Sequence, residues 1–224
     1  DKIIVTCSPD KVPVPLVEQL KEGGLLVIPV GPRYQQILYV FRKKEGKLHT
    51  EYMRPTLFVP MTGRAEEERS DQPDPKKPEI YNGDFEAAKI GNFIPYWYYE
   101  FNAKLVNDTK APAGDQCVEF TNDKPGAPSM LLQGFPIDGR QVPRIRLKGA
   151  AMVSKVKAGA SIEEQPMIVV QFLDSNRNQV GINWLGPYVG NRAWKKENKI
   201  FLVPPEAREA IIRIGLHGAT GTVR

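Results

Sequence analysis

Apolar and polar positions follow two different rhythms along this chain, with an abrupt change between them. The first rhythm occupies residues 1–31, as DKIIVTC, SPDKVPVPLVEQLKEGG and LLVIPVG. The opening run is short, apolar and β-branched, which predicts a strand buried on both faces. Leu16, Val17 and Leu20 share one face of a helical spacing. Pro15 to Leu20 therefore reads as a short helix, stopped at Gly23 and Gly24 where a residue of positive φ is wanted. Residues 25–31 read as a second buried strand. Strand, helix, strand is a βαβ unit, and it needs further strands beside it to cover its edges. The apolar runs 37–44 and 48–61 flank Glu45-Gly46-Lys47 and predict an antiparallel hairpin that finishes the sheet. Pro55 confines its stretch to an edge or a bulge.

Between Gly63 and Pro78 the pattern dissolves into dense charge and three prolines without apolar periodicity, the composition of an extended linker. The second rhythm starts at about residue 80. Short apolar alternations recur at WYYEFNAKLV, QCVEFTN, SMLLQGF, RIRLKGAAMV, MIVVQFLD, KIFLVP and AIIRIGL, separated by turn-forming clusters. Only Pro205 to Arg213 invites a helical reading. The expected fold is thus an α/β part over 1–63, a linker over 64–79 and an all-β antiparallel sandwich of jelly-roll type over 80–224.

Composition narrows the function classes. Hydrophobic residues make up 41% and charged residues 25% of the 224, ordinary for a globular chain. A net charge of +5 is too slight to imply a nucleic-acid partner. The one tight basic cluster after the linker, Lys195, Lys196 and Lys199, reads as a solvated face. No apolar run has the length of a membrane span, and no signal peptide opens the chain. Cys7 and Cys117 fall in different parts and form neither a disulfide framework nor a metal-ligand spacing, so the redox compartment stays open.

In an open α/β sheet, ligands sit beyond the carboxyl ends of the parallel strands, which places Thr6-Cys7-Ser8-Pro9 and Pro29-Val30-Gly31 at the functional edge. The phrases around that edge carry a resemblance. DKIIVT, the VP and LVEQLKEGG run, LVIPVG, YQQ and FVPMTG are similar, in order and spacing, to the C-terminal half of protein-L-isoaspartate O-methyltransferases, over roughly residues 1–63. Cys7 and Ser8 stand where that family usually has alanines, and Met61 replaces a leucine. The resemblance implies a partial Rossmann-like methyltransferase sheet. It also implies methyl transfer from S-adenosylmethionine to the carboxylate of an isoaspartyl residue in a damaged protein. A carboxylate is already a nucleophile at neutral pH, so positioning and desolvation matter more than a general base. Thr6, Cys7, Ser8, Pro60 and Thr62 are the implied substrate-binding residues. The family's cofactor-binding half would precede Asp1, which makes this chain a fragment expected not to hold the cofactor alone.

The β part carries a second resemblance. YNGDFE at 81–86, a tryptophan soon after, and the late run VPPEAREAIIRIGLHGATGTV resemble jelly-roll carbohydrate-binding modules that bind cellulose and xylan. Such modules commonly continue past the point matching Arg224, so the resemblance implies a chain cut at both ends. Sugar binding rests on aromatic faces stacked on pyranose rings, which makes Trp97, Tyr99, Trp184 and Tyr188 the candidates. Alternation along a strand puts about half of such aromatics in a core instead, and Trp194 is assigned to packing. The resemblance also implies a structural calcium, with Glu86 as its acidic ligand. Asp84, Glu100, Glu119 and Asp174 are scattered acids better explained as solvated turn and strand residues than as a glycosidase pair. The glycine-rich stretch Gly215 to Gly221 lacks a strand-to-helix context and reads as a turn.

Two functional readings follow. One is an isoaspartyl methyltransferase fragment tethered to a β-sandwich, with isoaspartyl proteins as partners and a cytoplasmic location set by the cofactor. The other is a non-catalytic glycan- or protein-binding sandwich attached to a degenerate methyltransferase remnant, which favours a site outside the cytoplasm. Neither calls for nucleic acid or membrane.

Overall fold

A computed structural model describes all residues except 60, 62, 64–66, 68, 70, 71 and 90. The chain divides into two compact units, Asp1–Pro73 and Asp74–Arg224. The division falls inside the charged stretch read as linker.

The first unit is one four-stranded sheet in chain order: β1 (Lys2–Ile4), β2 (Leu25–Val30), β3 (Gln36–Lys44) and β4 (Lys47–Thr56). The helix α1 (Val14–Gln19) joins β1 to β2, which run parallel with Ile3 opposite Leu26. The remaining pairs are antiparallel, so an α/β sheet is represented by this single parallel pair. β1 is not buried on both faces as its composition predicted. It lies at the edge of the sheet, and Ile4 is 71% exposed. β2, with partners on both sides, does supply the buried Leu26 and Ile28. The helix also ends differently. Leu20, in extended conformation, closes it through its N–H to the Leu16 carbonyl, and Gly23 uses its positive φ one turn later. Buried Leu20 packs with Leu26 and Ile28, and Ile3, Leu16 and Phe41 lie against them. The hairpin loop is tighter than expected. Lys44 pairs with Lys47, and the two residues between, Glu45 and Gly46, both have positive φ, as a type I′ turn requires. Pro55 sits on the edge strand β4, where a missing N–H donor costs the ladder nothing.

The second unit is a β-sandwich of two five-stranded sheets. In one, β11 (Gln179–Leu185), β10 (Met167–Leu173), β13 (Glu209–Gly215), β8 (Met130–Pro136) and β5 (Tyr98–Phe101) lie side by side. In the other, the order is β12 (Gly190–Leu202), β9 (Arg144–Lys157), β14 (Thr220–Val223), β7 (Gln116–Asn122) and β6 (Ala103–Asn107). Within the 205–213 stretch a turn closed by Ala207 N–H on the Pro204 carbonyl leads straight into β13, so no helix forms there. The sequence pattern missed β11, β14 and the first half of β12. β12 is an edge strand whose Lys195, Lys196 and Lys199 remain exposed, so it carries little apolar alternation. Lysines on an edge also discourage pairing with another chain. The interior is filled by Trp97, Phe120, Leu131, Phe172 and Ile212 among others. Each large side chain so buried contributes roughly 1.5–3 kcal/mol.

Candidate functional site

In the first unit, four segments converge beyond the carboxyl ends of β1 and β2. The Ser8 N–H donates to the Val59 carbonyl at 2.9 Å, and the Met61 N–H donates back to the Ser8 carbonyl at 3.0 Å. The Gly31 N–H donates to the Pro9 carbonyl at 3.1 Å. Arg69 clamps the arrangement, with Nη2 at 2.7 Å from the Ser8 carbonyl and Nη1 at 2.7 Å from the Gly31 carbonyl. Arg69 is 5% exposed. Gln36, also buried, accepts the Phe58 N–H at 2.6 Å and fixes the approach of the 57–61 segment. The backbone at Ser8 is therefore held from both sides by carbonyl and amide partners.

The expected substrate-binding side chains divide sharply on this frame. Thr6 is exposed, Cys7 half-buried and Ser8 closed off, with its hydroxyl 3.4 Å from the Pro9 carbonyl. Of the three, Thr6 alone presents a free-standing hydroxyl at the strand end. Pro60 and Thr62 lie outside the described residues. Arg69 escaped the sequence reading because it sits in the run GRAEEERSD, where a charge looks like one more solvated residue. The signal that separates it is geometric: the inward Gly31 carbonyl takes its donor from a side chain rather than from a strand, and the same guanidinium reaches the Ser8 carbonyl.

In the second unit the aromatic candidates do not form a platform. Trp97 is 2% exposed, stacks on Phe85 and donates its indole N–H to the Asn82 carbonyl at 3.0 Å. Tyr188 is 3% exposed. Both belong to the core, which corrects their assignment as sugar-stacking residues. Tyr99 and Trp184 are exposed, at 45% and 39%. They sit on β5 and β11, the opposite edge strands of one five-stranded sheet. Four strand spacings of about 4.8 Å separate them by roughly 19 Å. Trp194 is half-buried, its indole N–H on Asp108 at 3.2 Å, as its packing assignment requires.

Glu86 is likewise engaged elsewhere. Its Oε1 accepts the backbone N–H groups of Asp115 and Gln116 at 2.8 and 2.7 Å and so ties down the loop before β7. Among the described residues no group of three or more His, Cys, Asp or Glu side chains is arranged to hold a metal. The scattered acids also have structural partners. Glu100 accepts the Ile94 N–H, Asp174 closes the turn at Asn176 and Asn178, and Glu119 pairs with Lys104 and Arg224. Burial pushes the Glu119 carboxyl up, but hydrogen bonds from Lys104 and Arg224 outweigh it and hold it below the usual carboxylate range. Cys117 lies buried beside this network. Burial first, then the Asp108 charge, push its thiol to about 11, so it stays protonated and inert as a nucleophile.

The unit also holds a largely apolar pocket of about 660 Å³ that opens to solvent. One sheet lines it with Val118, Phe120 and Leu147, and the other with Met167, Ile168 and Ile212. Tyr188 stands on its wall, its buried hydroxyl beside the Glu197 carboxylate. Burial first, then the Glu197 carboxylate, raise the phenol far above its ordinary value. The Arg192 guanidinium lies over the Tyr188 ring at 5.2 Å and reaches Glu197 Oε1 at 3.1 Å.

Comparison with known proteins separates the units as the geometry does. Residues 1–66 match the profile of the protein-L-isoaspartate(D-aspartate) O-methyltransferase (PCMT) family. The protein-L-isoaspartate O-methyltransferase of Hyperthermus butylicus is 50% identical over 64 residues, which are 28% of this chain and 27% of that protein. That of Opitutus terrae is 51% identical over 63 residues, again 28% of this chain and 27% of the relative. The chain thus spans about a quarter of the length of the curated relatives it matches. Among solved structures, a family 16 carbohydrate-binding module aligns with 64% of this chain and 92% of its own, at 17% identity and a TM-score of 0.40. The enzymatically active domain of a bacteriophage CBA120 tailspike protein aligns with 65% of this chain and 20% of its own, at 18% identity and a TM-score of 0.47. Likeness at that level carries no functional content for the second unit.

Proposed function

We propose that the first unit is the acceptor side of a protein-L-isoaspartate O-methyltransferase, which methylates isoaspartyl carboxylates in damaged proteins. The observation that carries this reading is the match over residues 1–66, half of it identical to a curated enzyme. Its support in the structure is the clamped turn at Ser8, a rigid backbone that presents the Thr6 hydroxyl at the end of a parallel strand. A substrate carboxylate entering there meets a hydroxyl donor and a surface whose own polar groups are already satisfied. It is oriented and partly dehydrated without a base, as an anionic nucleophile requires. Cys7 lines the same edge. Ser8 acts through its backbone rather than its hydroxyl. Pro60 and Thr62 remain part of the proposal on family grounds alone.

The methyl donor that the relation implies is S-adenosylmethionine, which supplies an electrophilic carbon when bound. The residues of this unit do not fit it. The β1–α1 connection, residues 5–13, contains Pro9 and Pro13 and no glycine, and α1 has six residues and no side-chain N-cap. No step is therefore assigned to the donor. On this reading the partners are isoaspartyl-containing proteins, and the compartment is the one that holds the donor, the cytoplasm. Glycan binding by the second unit has less support, since its exposed aromatics stand on opposite edges.

The test is methyl-ester formation by the protein that carries this chain, with labelled S-adenosylmethionine and a peptide pair differing only in isoaspartate against aspartate. Ester on the isoaspartyl peptide alone is expected. Thr6→Val should reduce it roughly tenfold, the worth of one hydrogen bond to a charged group. Equal labelling of both peptides, or of neither, overturns the proposal.

A further inference from the structure

The sheet that carries β10 and β13 turns one face to the core and the other outward, and strand register fixes which residues share the outer face. Trp184 of β11 lies opposite Val169 of β10, Val169 opposite Arg213 of β13, and Arg213 opposite Leu132 of β8. The next row along the strands is Ile182, Gln171 and Ile211. Their strand neighbours Leu185, Val170, Ile212 and Leu131 belong to the core, so both rows point away from it. Arg213 stands in the middle of this face without compensation. It is half-buried, its Nε is enclosed without an acceptor, and its side chain makes no ion pair among the described residues. The acid on the same face of β13, Glu209, is held by Arg177 at 3.2 Å. Gln171 is also half-buried, and its amide has no hydrogen-bond partner among the described residues. Beside these two polar groups Trp184 and Ile182 are exposed, while Val169 between Trp184 and Arg213 is buried.

We propose that this face docks an extended acidic segment of a partner protein, with a carboxylate of that segment on Arg213 and an apolar side chain of it on Trp184. Charge complementarity sets the sign of the partner, because the one uncompensated charge of the face is a guanidinium, whose planar fork matches a carboxylate. Tryptophan and arginine are also the residues that most often anchor protein interfaces. A primary amide such as that of Gln171 both donates and accepts, as a peptide backbone laid beside it requires. The spacing suits an extended chain. Trp184 and Arg213 are two strands, roughly 10 Å, apart, and same-side residues of an extended segment repeat every ~7 Å, a gap that the long arginine side chain closes. None of these residues lines the pocket between the sheets, so the face is an open surface for a macromolecule rather than an enclosure for a small one. A polysaccharide needs hydrogen-bonding side chains along its ring edges, and here Ile182, Ile211 and Leu132 stand in those positions. The inference is independent of the methyltransferase reading of the first unit.

The experiment selects random displayed heptapeptides on the whole chain and measures the best of them, made synthetically with a fluorescent label, by anisotropy. Peptides with Asp or Glu close to an aromatic or branched aliphatic residue are expected. Replacing the peptide's acid by its amide should weaken binding about tenfold or more, the worth of a hydrogen bond between charged groups. Arg213→Gln should weaken the acidic peptide by the same factor and leave no further loss for the amide peptide, which couples the two groups directly. Trp184→Ala should also weaken binding about tenfold while leaving the fold intact by circular dichroism. If Arg213→Gln does not fold, the peptide's own acid-to-amide change and Trp184→Ala decide. Recovery of neutral or basic peptides alone, or of none, overturns the proposal. So does binding indifferent to the amide change or to Trp184→Ala, or tighter binding of polygalacturonate than of the peptide at this face.

Discussion

Among the described residues of the first unit the fully enclosed apolar side chains are Leu20, Leu26 and Ile28, whereas the second closes over Trp97, Phe120, Leu131, Phe172 and many more. Sequence relationship runs the other way. The unit with the small core holds the 64 residues that are 50% identical to a curated isoaspartyl methyltransferase. The contrast separates two demands on a sequence. A site that positions a reacting group needs particular residues at particular places, such as the turn around Ser8 with Arg69 against it. A sandwich core needs volume and alternation, which many sequences supply equally well.

The largest expected effect tests the core side of that contrast. Trp97→Ala removes a buried indole and its bond to Asn82, and should destabilise the second unit by about 3–5 kcal/mol in chemical denaturation. A loss below about 1 kcal/mol would mean that the residue is not core. Arg69→Ala is the matching test of the site. The Gly31 carbonyl would lose its side-chain donor and the Ser8 carbonyl would keep only the Met61 N–H, which should cost about 1–3 kcal/mol locally. Faster amide exchange at Ser8 and Met61, with the β3–β4 hairpin unaffected, would show it.

A pH series sharpens the comparison, because the resolved histidine and buried-carboxylate shifts lie in the second unit. Burial holds the His217 imidazole below its ordinary value of 6.5, and its Nε2 donates to the Met167 carbonyl at 3.1 Å. The folded state thus resists protonation that the unfolded chain accepts, so stability present above pH 6.5 falls as pH drops below it. Glu119, also held low, acts the same way from its ordinary value of 4.5 downward. Melting of the second unit should therefore fall in two stages on acidification, and His217→Gln should remove the upper one. The smallest effect belongs to Trp184→Ala and Tyr99→Ala. Both residues are largely exposed on edge strands, and each change should stay within about 0.5 kcal/mol by the same denaturation measurement.

Much of the fold was legible along the chain. The runs that became β2, β3, β7, β8, β10 and β13 alternate or concentrate their apolar residues, and turn residues bracket them. Legibility failed where a strand's neighbours, rather than its own residues, determined its surroundings. The opening strand is as apolar as β2, yet it is an edge. β12 is as charged as a loop, yet it pairs along most of β9. The site was legible in outline at Thr6 to Ser8, and not in its clamp, since the partners of Arg69 lie 61 and 38 residues away. The aromatic candidates failed for a similar reason. Alternation puts Trp97 and Tyr99 on one face, yet Trp97 and Tyr98 are both buried and Tyr99 is exposed, because Trp97 precedes β5 and the strand is irregular after Tyr98.

What the sequence determined by itself was therefore local or inherited: strand periods, turns, the βαβ start and the relationship of residues 1–66 to one enzyme family. Those properties reside in a few adjacent residues or in a shared order of motifs. Tertiary structure alone decided which strands are edges, that Trp97 and Tyr188 are core, that Arg69 is buried, and that a pocket lies between the sheets. Each of these depends on packing between residues distant in the chain, where the balance of volume and hydrogen-bond partners is struck by the whole fold rather than by any one stretch.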